Sequence, residues 1–206
     1  EVGLGKTVVA RGVIDELLRR RRGKALVVVY LCSNSEIADQ NRTKLAPKAA
    51  PSLRRITQLA WNGGNAETLQ LYSFTPGTSL KDGTGLEWER RLLMYLLHRA
   101  FGFPVWKRTW REFFRCGVRP DNWNAKTTRR ALNEGFERQT TRTLQTSLKA
   151  AWRQPIDGRP ARAAIHDAVA QFDPTDAESR SARNRLVAQL RGVMQRVVLR
   201  CLEPDL

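Results

Sequence analysis

Apolar positions recur at helical spacing from the first residues. Val9, Val13 and Leu17 form one stripe, Ala10, Ile14 and Leu18 lie beside it, and Gly23 is placed to end a helix running from Lys6 to about Arg22. The pattern then changes. Lys24 to Cys32 is an almost unbroken β-branched and apolar run, which predicts a parallel strand buried on both faces. Ser33, Asn34 and Ser35 supply capping side chains for a helix from Glu36 to about Leu45, and Pro47 stops it. A short strand is expected over Ile56–Trp61, then a Gly63-Gly64 turn and a clearer strand over Leu69–Phe74 closed by Thr75-Pro76-Gly77. Beyond the loop at Lys81–Gly85 only the helical period persists. Helices are expected over Leu86–Phe101, Trp106–Arg115, Ala125–Trp152, Ala161–Phe172 and Asp176–Cys201, punctuated by Pro104, Pro120, Pro155, Pro160 and Pro174. An α/β portion thus ends near residue 80 and a helical portion follows, with no internal repeat.

Composition changes this picture in one respect. At 206 residues, 41% apolar and 27% charged, the chain has the make-up of a soluble domain with a core and an appendage. The charge is the outlier: 36 Lys and Arg against 20 Asp and Glu give +16 and a pI near 10.9. Residues 107–162 alone contribute +9. Such a field attracts polyanions, nucleic acid first among them. A solvated arginine-rich surface is the competing explanation for any single cluster, such as Arg19 to Arg22. No apolar run is long enough to span a bilayer, so no membrane partner is expected. Cys32, Cys116 and Cys201 are odd in number and far apart, which implies neither a disulfide framework nor a zinc site and fits a reducing, cytoplasmic setting.

Candidate chemistry starts at Glu1-Val2-Gly3-Leu4-Gly5-Lys6-Thr7. Glycines allow a turn whose amide hydrogens point at phosphate oxygens, and the following helix aims its N-terminus at the same anion. In a phosphate-binding loop of this kind Gly3, Leu4, Gly5, Lys6 and Thr7 hold the nucleotide. Lys6 reaches the β- and γ-phosphates of ATP, and the Thr7 hydroxyl takes a position on Mg²⁺. A glycine-rich terminus of no function is the bland alternative. Because residue 1 is Glu and the strand preceding such a loop is missing, the chain reads as an internal piece of a longer protein.

Further motifs narrow the class. Ser33-Asn34-Ser35-Glu36-Ile37-Ala38-Asp39-Gln40 resembles motif Ia of superfamily 2 helicases, whose DEAD-box form reads Pro-Thr-Arg-Glu-Leu-Ala-x-Gln. Glu36, Ala38 and Gln40 match, while Ser33-Asn34-Ser35 replace Pro-Thr-Arg. Gly63-Gly64 and Phe74-Thr75-Pro76-Gly77-Thr78 resemble the glycine doublet and the Thr-Pro-Gly-Arg motif, with Thr78 in place of Arg. Gly3-Leu4-Gly5-Lys6-Thr7 after Glu1 is closer to the Snf2-like branch. The mixture resembles bacterial ATPases of restriction and phage-defence systems. The order of the motifs is the family's own. The resemblance implies a partial RecA-like P-loop parallel sheet over residues 1–80, and nucleic-acid contacts from Ser33, Asn34, Ser35, Gln40, Gly63, Gly64, Thr75, Gly77 and Thr78. It covers the middle of the chain not at all, so residues 81–198 read as a large, basic, all-helical insertion.

One family element is missing from the sequence. No apolar strand ends in the Asp-Glu pair that holds Mg²⁺ and polarises water; residues 199–206 read as the lead-in to it. The resemblance also places the arginine finger on a second RecA-like domain. The expected function is therefore a fragment of an ATP-dependent nucleic-acid helicase or translocase, acting on DNA in preference to RNA, with ATP and Mg²⁺ as cofactors and little hydrolysis by the fragment alone. A non-catalytic helical nucleic-acid-binding module, or a P-loop ATPase outside the helicases, are the alternatives. Trp106, Trp110, Phe113 and Phe114, interleaved with Lys107, Arg108, Arg111 and Arg115, either stack on bases or pack a core, with packing preferred. His98 and His166 are isolated and read as structural.

Overall fold

The computed structural model describes residues 4–21, 26–45, 57, 69–76, 83–123 and 142–200. The chain is a mixed α/β protein that divides into two compact units, Glu1–Lys81 and Asp82–Leu206.

The first unit contains α1 (Leu4–Arg20), β1 (Leu26–Leu31), α2 (Ser35–Leu45) and β2 (Leu69–Phe74). β1 and β2 are parallel and in register along their whole length, from Leu26 opposite Leu69 to Leu31 opposite Phe74. Alternation along β1 sends Leu26, Val28 and Tyr30 to one face, where they pack with Ile14 and Leu18 of α1, Leu45 of α2, and Leu69 and Leu71 of β2. The expectation that β1 is buried on both faces is corrected here. Val27 and Val29 are about half exposed and Leu31 is 71% exposed, because α1 and α2 both pack on the Leu26–Val28–Tyr30 side of the sheet. The stripe on α1 shifts in the same way. Ile14 and Leu18 face the sheet, whereas Val8, Val9, Val13 and Leu17 face solvent. Residues 56 and 58–61 of the expected short strand lie outside the described residues. Thr57, between them, is fully buried and has the backbone of a helical turn.

The second unit holds α3 (Glu87–Phe101), α4 (Arg108–Arg115), a 3₁₀ turn (Pro120–Trp123), α5 (Arg142–Ala151), α6 (Ala161–Ala170) and α7 (Ala177–Arg200). α3 is its centre. Leu92, Leu93, Met94, Leu96 and Leu97 are all essentially inaccessible, so the helix is covered on nearly every side. Its end is set by Gly102, whose left-handed backbone (φ 71°) lets its N–H reach the His98 carbonyl at 2.8 Å. α7 begins where Asp176 accepts the Ser179 N–H at 2.6 Å, an N-cap bond. The aromatic helix α4 serves packing. Trp110 lies 4.5 Å from Phe103 between ring centroids, Phe113 meets Phe172 edge-on at 5.4 Å, and Phe114 is fully buried. Trp106 precedes the helix and is partly exposed.

Two charged side chains on α3 are buried among these rings. The Arg90 guanidinium donates to the Phe114 carbonyl at 2.9 Å and the Arg115 carbonyl at 3.1 Å, satisfying the open C-terminal end of α4. Burial pushes its pKa below the ordinary guanidinium value, with the nearby thiol Cys116 and Glu87 opposing. Glu89 accepts the Leu86 N–H at 2.8 Å and pairs with Arg191 of α7 at 3.3 Å, with side-chain exposures of 0% and 4% for the acid and the base. Gly85, at φ 76°, lies under this pair: a Cβ there would come within 2.6 Å of the Arg191 side chain. Truncating one member strands the other in a dry site. Glu89→Ala is therefore expected to lower stability in urea unfolding by about 3–5 kcal/mol. The double change Glu89→Gln with Arg191→Met is expected to recover most of that loss, and equal losses in both variants would contradict this account of the pair.

Candidate nucleotide and nucleic-acid edge

In the first unit every described candidate lies on α1, on α2 or at the ends of the strands. α1 runs antiparallel to β1. Ile14 and Leu18, in its second half, share a core with Leu26 at the start of β1, whereas its first turn reaches Tyr30 near the end of β1 through Asn41. The Thr7 hydroxyl donates to Asn41 Oδ1 at 3.4 Å, and Asn41 Nδ2 donates to the Tyr30 hydroxyl at 2.8 Å. α1 starts at Leu4, two residues earlier than expected, so Gly5 and Lys6 belong to its first turn. The first four amides of a helix have no partner within it. In α1 these include the amides of Leu4, Gly5 and Lys6. Gly5 has open space where a Cβ would stand, and the Lys6 side chain is exposed. An anion can approach this end closely, and the partial positive charge of the helix terminus favours it.

At the carboxyl end of β1 the chain turns into α2. Asn34 is its N-cap: its side-chain oxygen accepts the Glu36 N–H at 2.7 Å and the Ile37 N–H at 3.3 Å, and its backbone carbonyl accepts the Ala38 N–H at 2.9 Å. Ser33 and Ser35 are exposed on either side of it, and Gln40 is exposed further along α2. The Cys32 N–H donates to the Phe74 carbonyl at 3.0 Å, extending the ladder past the last rung and leaving Thr75 beside Ser33 at one edge. Thr75 is buried and Pro76 exposed. Gly3, Gly63, Gly64, Gly77 and Thr78 lie outside the described residues, as do Cys201 to Leu206.

No protein family, curated protein or solved structure matches this chain.

The residues present fit a phosphate better than they complete a metal site. Unpartnered amides, an exposed ammonium and a reachable hydroxyl suit an anion. For Mg²⁺ the described part of the chain contributes the Thr7 hydroxyl, and no cluster of three or more acidic, His or Cys side chains suited to a metal occurs among the described residues. Neither histidine belongs to the edge. His98 Nδ1 lies 2.8 Å from the Phe103 carbonyl, and His166 is exposed beside Asp167. Cys116 is half-buried with its thiol pKa pushed up by burial.

Sequence reasoning missed Asn41. It follows Gln40 in the motif-like helix, and nothing in its spacing marks it; only the fold brings Thr7 and Tyr30 to it. Asn34 is expected both as a cap of α2 and as a nucleic-acid contact, and its side-chain oxygen is engaged in the cap. Asn34→Ala is expected to destabilise the first unit by about 1 kcal/mol, with Asn34→Asp retaining the cap. Thermal melting followed at the helical circular-dichroism band measures this. Equal stability of the alanine variant and the native chain would remove Asn34 from the capping role.

Proposed function

We propose that this chain carries part of the N-terminal RecA-like motor domain of a superfamily 2 helicase or translocase, together with a basic helical insertion. In this reading ATP binds at the first turn of α1, on the amides of Gly5 and Lys6, with the Lys6 side chain on the β- and γ-phosphates. The Thr7 hydroxyl would contribute one oxygen to a Mg²⁺ ion accompanying the nucleotide. Nucleic acid, DNA in preference to RNA, runs past the exposed Ser33 and Ser35, while Thr75, expected as a further contact, is buried and does not face it.

The observation that carries the reading is the parallel, in-register pairing of β1 with β2. It brings Ser33 and Thr75, the latter the first residue of the Thr-Pro-Gly-like motif, to the same carboxyl edge of the sheet, though they are some forty residues apart in sequence. Open α/β sheets bind ligands at that edge. α1 brings the phosphate-binding candidates to the same end of the strands. Described residues of three motif-like stretches thus lie at one edge, as the motor reading requires.

The Thr7–Asn41–Tyr30 chain of hydrogen bonds offers a route by which the two ligands are coupled. Asn41 lies on the same helix as the turn at Ser33, so a change at the Thr7 hydroxyl is felt by the element that faces nucleic acid. Coupling of this kind is reciprocal: nucleotide would alter nucleic-acid affinity by the factor by which nucleic acid alters nucleotide affinity.

The direct test is binding of a fluorescent ATP analogue to the 206-residue chain. Lys6→Ala is expected to weaken it tenfold or more without changing the thermal melting profile, since the Lys6 side chain is exposed. Native-like affinity in that variant would leave the nucleotide site without its central cation and remove the motor reading.

A further inference from the structure

Two cavities open along one side of α7 in the helical unit, and their charge separates them. The first, about 580 Å³, lies between α6 and the N-terminal half of α7. Its arginines, Arg159, Arg183 and Arg185, are matched by four carboxylates, and Arg159 is already ion-paired with Asp167. The second, about 400 Å³, lies between the α5–α6 connection and the C-terminal half of α7. Around it stand Arg196, Arg200, Gln154 and Gln189, and no carboxylate among the described residues lines it. None of these four side chains has a protein partner among the described residues. The floor is apolar, formed by Ile156, Val193 and Val197 among others.

The spacing on α7 is favourable for one extended ligand. Gln189 and Arg196 are two turns apart on the same face, and Arg200 follows one turn later, about 6 Å further along the axis. Long helical side chains lean toward the N-terminus. Arg196 does so: its Nη1 lies 3.5 Å from where a Cβ on Gly192 would be, one turn earlier on the helix.

We propose that this groove binds one unstacked nucleotide of a single-stranded nucleic acid, with successive phosphates on Arg196 and Arg200 and the base against the apolar floor. It rests on the nucleic-acid part of the function above, and not on the ATP site. Two cations and two amides, with no carboxylate among the described lining residues, match a ligand rich in anionic acceptors. The net charge of +16 favours a polyanion over a neutral one. The volume matches a pocket for one small group and is concave, so a base reaches the floor only when it is out of a duplex. Buried Trp152, at 2% exposure, lies too deep to act as a stacking platform, which leaves phosphate contact as the main source of affinity.

The experiment is fluorescence anisotropy of a labelled oligothymidylate with the 206-residue chain over a salt series, in the absence of nucleotide. The double variant Arg196→Gln with Arg200→Gln should bind at least tenfold more weakly at low salt. Its slope of log K against log salt should be smaller by about 1.4, two single-strand phosphates' worth. Both side chains are exposed, so its thermal melt should match that of the native chain. Unchanged affinity and slope would overturn the groove. So would equal competition by duplex DNA or by polyglutamate, which would show that the groove does not select a splayed strand or that charge alone is read. The ATP-analogue experiment with Lys6→Ala keeps the two proposals apart. Loss of oligonucleotide binding in the double arginine variant, with ATP-analogue binding indifferent to Lys6, would leave the groove standing and remove the motor. The reverse pattern would do the opposite.

Discussion

The parallel pairing of β1 with β2 is the constraint from which the candidate site follows. Parallel neighbours cannot be joined by a tight turn, so the chain must cross over the sheet between them, and α2 lies on that crossover. The register then fixes the rest. With Leu31 opposite Phe74, both chains leave the sheet at the same level, and the turns that follow them share one edge. With Leu26, Val28 and Tyr30 directed at α1 and α2, α1 packs antiparallel to β1 and its N-terminus is carried to that edge. A slip of one residue would send Val27, Val29 and Leu31 into the helices and reverse every face.

The helical unit is organised by a different principle. Its central helix α3 buries Leu92 to Leu97 and, among them, Glu89 and Arg90. These charges are not spare. Arg90 closes the carbonyl end of α4, and Glu89 ties the start of α3 to the middle of α7 through Arg191. Buried charges of this sort add little net stability over well-packed apolar residues, but removing one partner is costly. The basic character of the unit therefore has two components. Some arginines are consumed by the architecture, while Arg196 and Arg200 remain exposed beside a groove lined by no acid among the described residues.

Much of this was legible in the chain. The strand at Leu69–Phe74 falls where the Thr-Pro-Gly stop puts it, and the helices at Glu87–Phe101, Arg108–Arg115, Ala161–Ala170 and Ala177–Arg200 follow their apolar period to within a few residues. Of the helix expected over Ala125–Trp152, Arg142–Ala151 is helical and residues 125–141 lie outside the described residues. What sequence could not show was which face of an apolar element meets the core. Val9, Val13 and Leu17 make as good a stripe as Ile14 and Leu18, and only the positions of β1 and α2 decide between them. The same holds for β1, whose uninterrupted apolar run resembles a strand covered on both sides although its helices lie on one. Asn41 illustrates a second limit. A side chain that links Thr7 to Tyr30 acts through contacts thirty-four and eleven residues away, and local spacing carries no trace of them.

The central claim is that one edge of the first unit receives both nucleotide and nucleic acid. Backbone amide chemical shifts, followed by NMR as a non-hydrolysable ATP analogue is added, test it most directly. The account predicts the largest changes at Gly5, Lys6, Thr7 and Val8, with smaller ones at Asn41 and at Ser33 to Glu36, and little change in α3 to α7. Shifts confined to the helical unit, or a first turn of α1 that does not respond at saturating nucleotide, would contradict it.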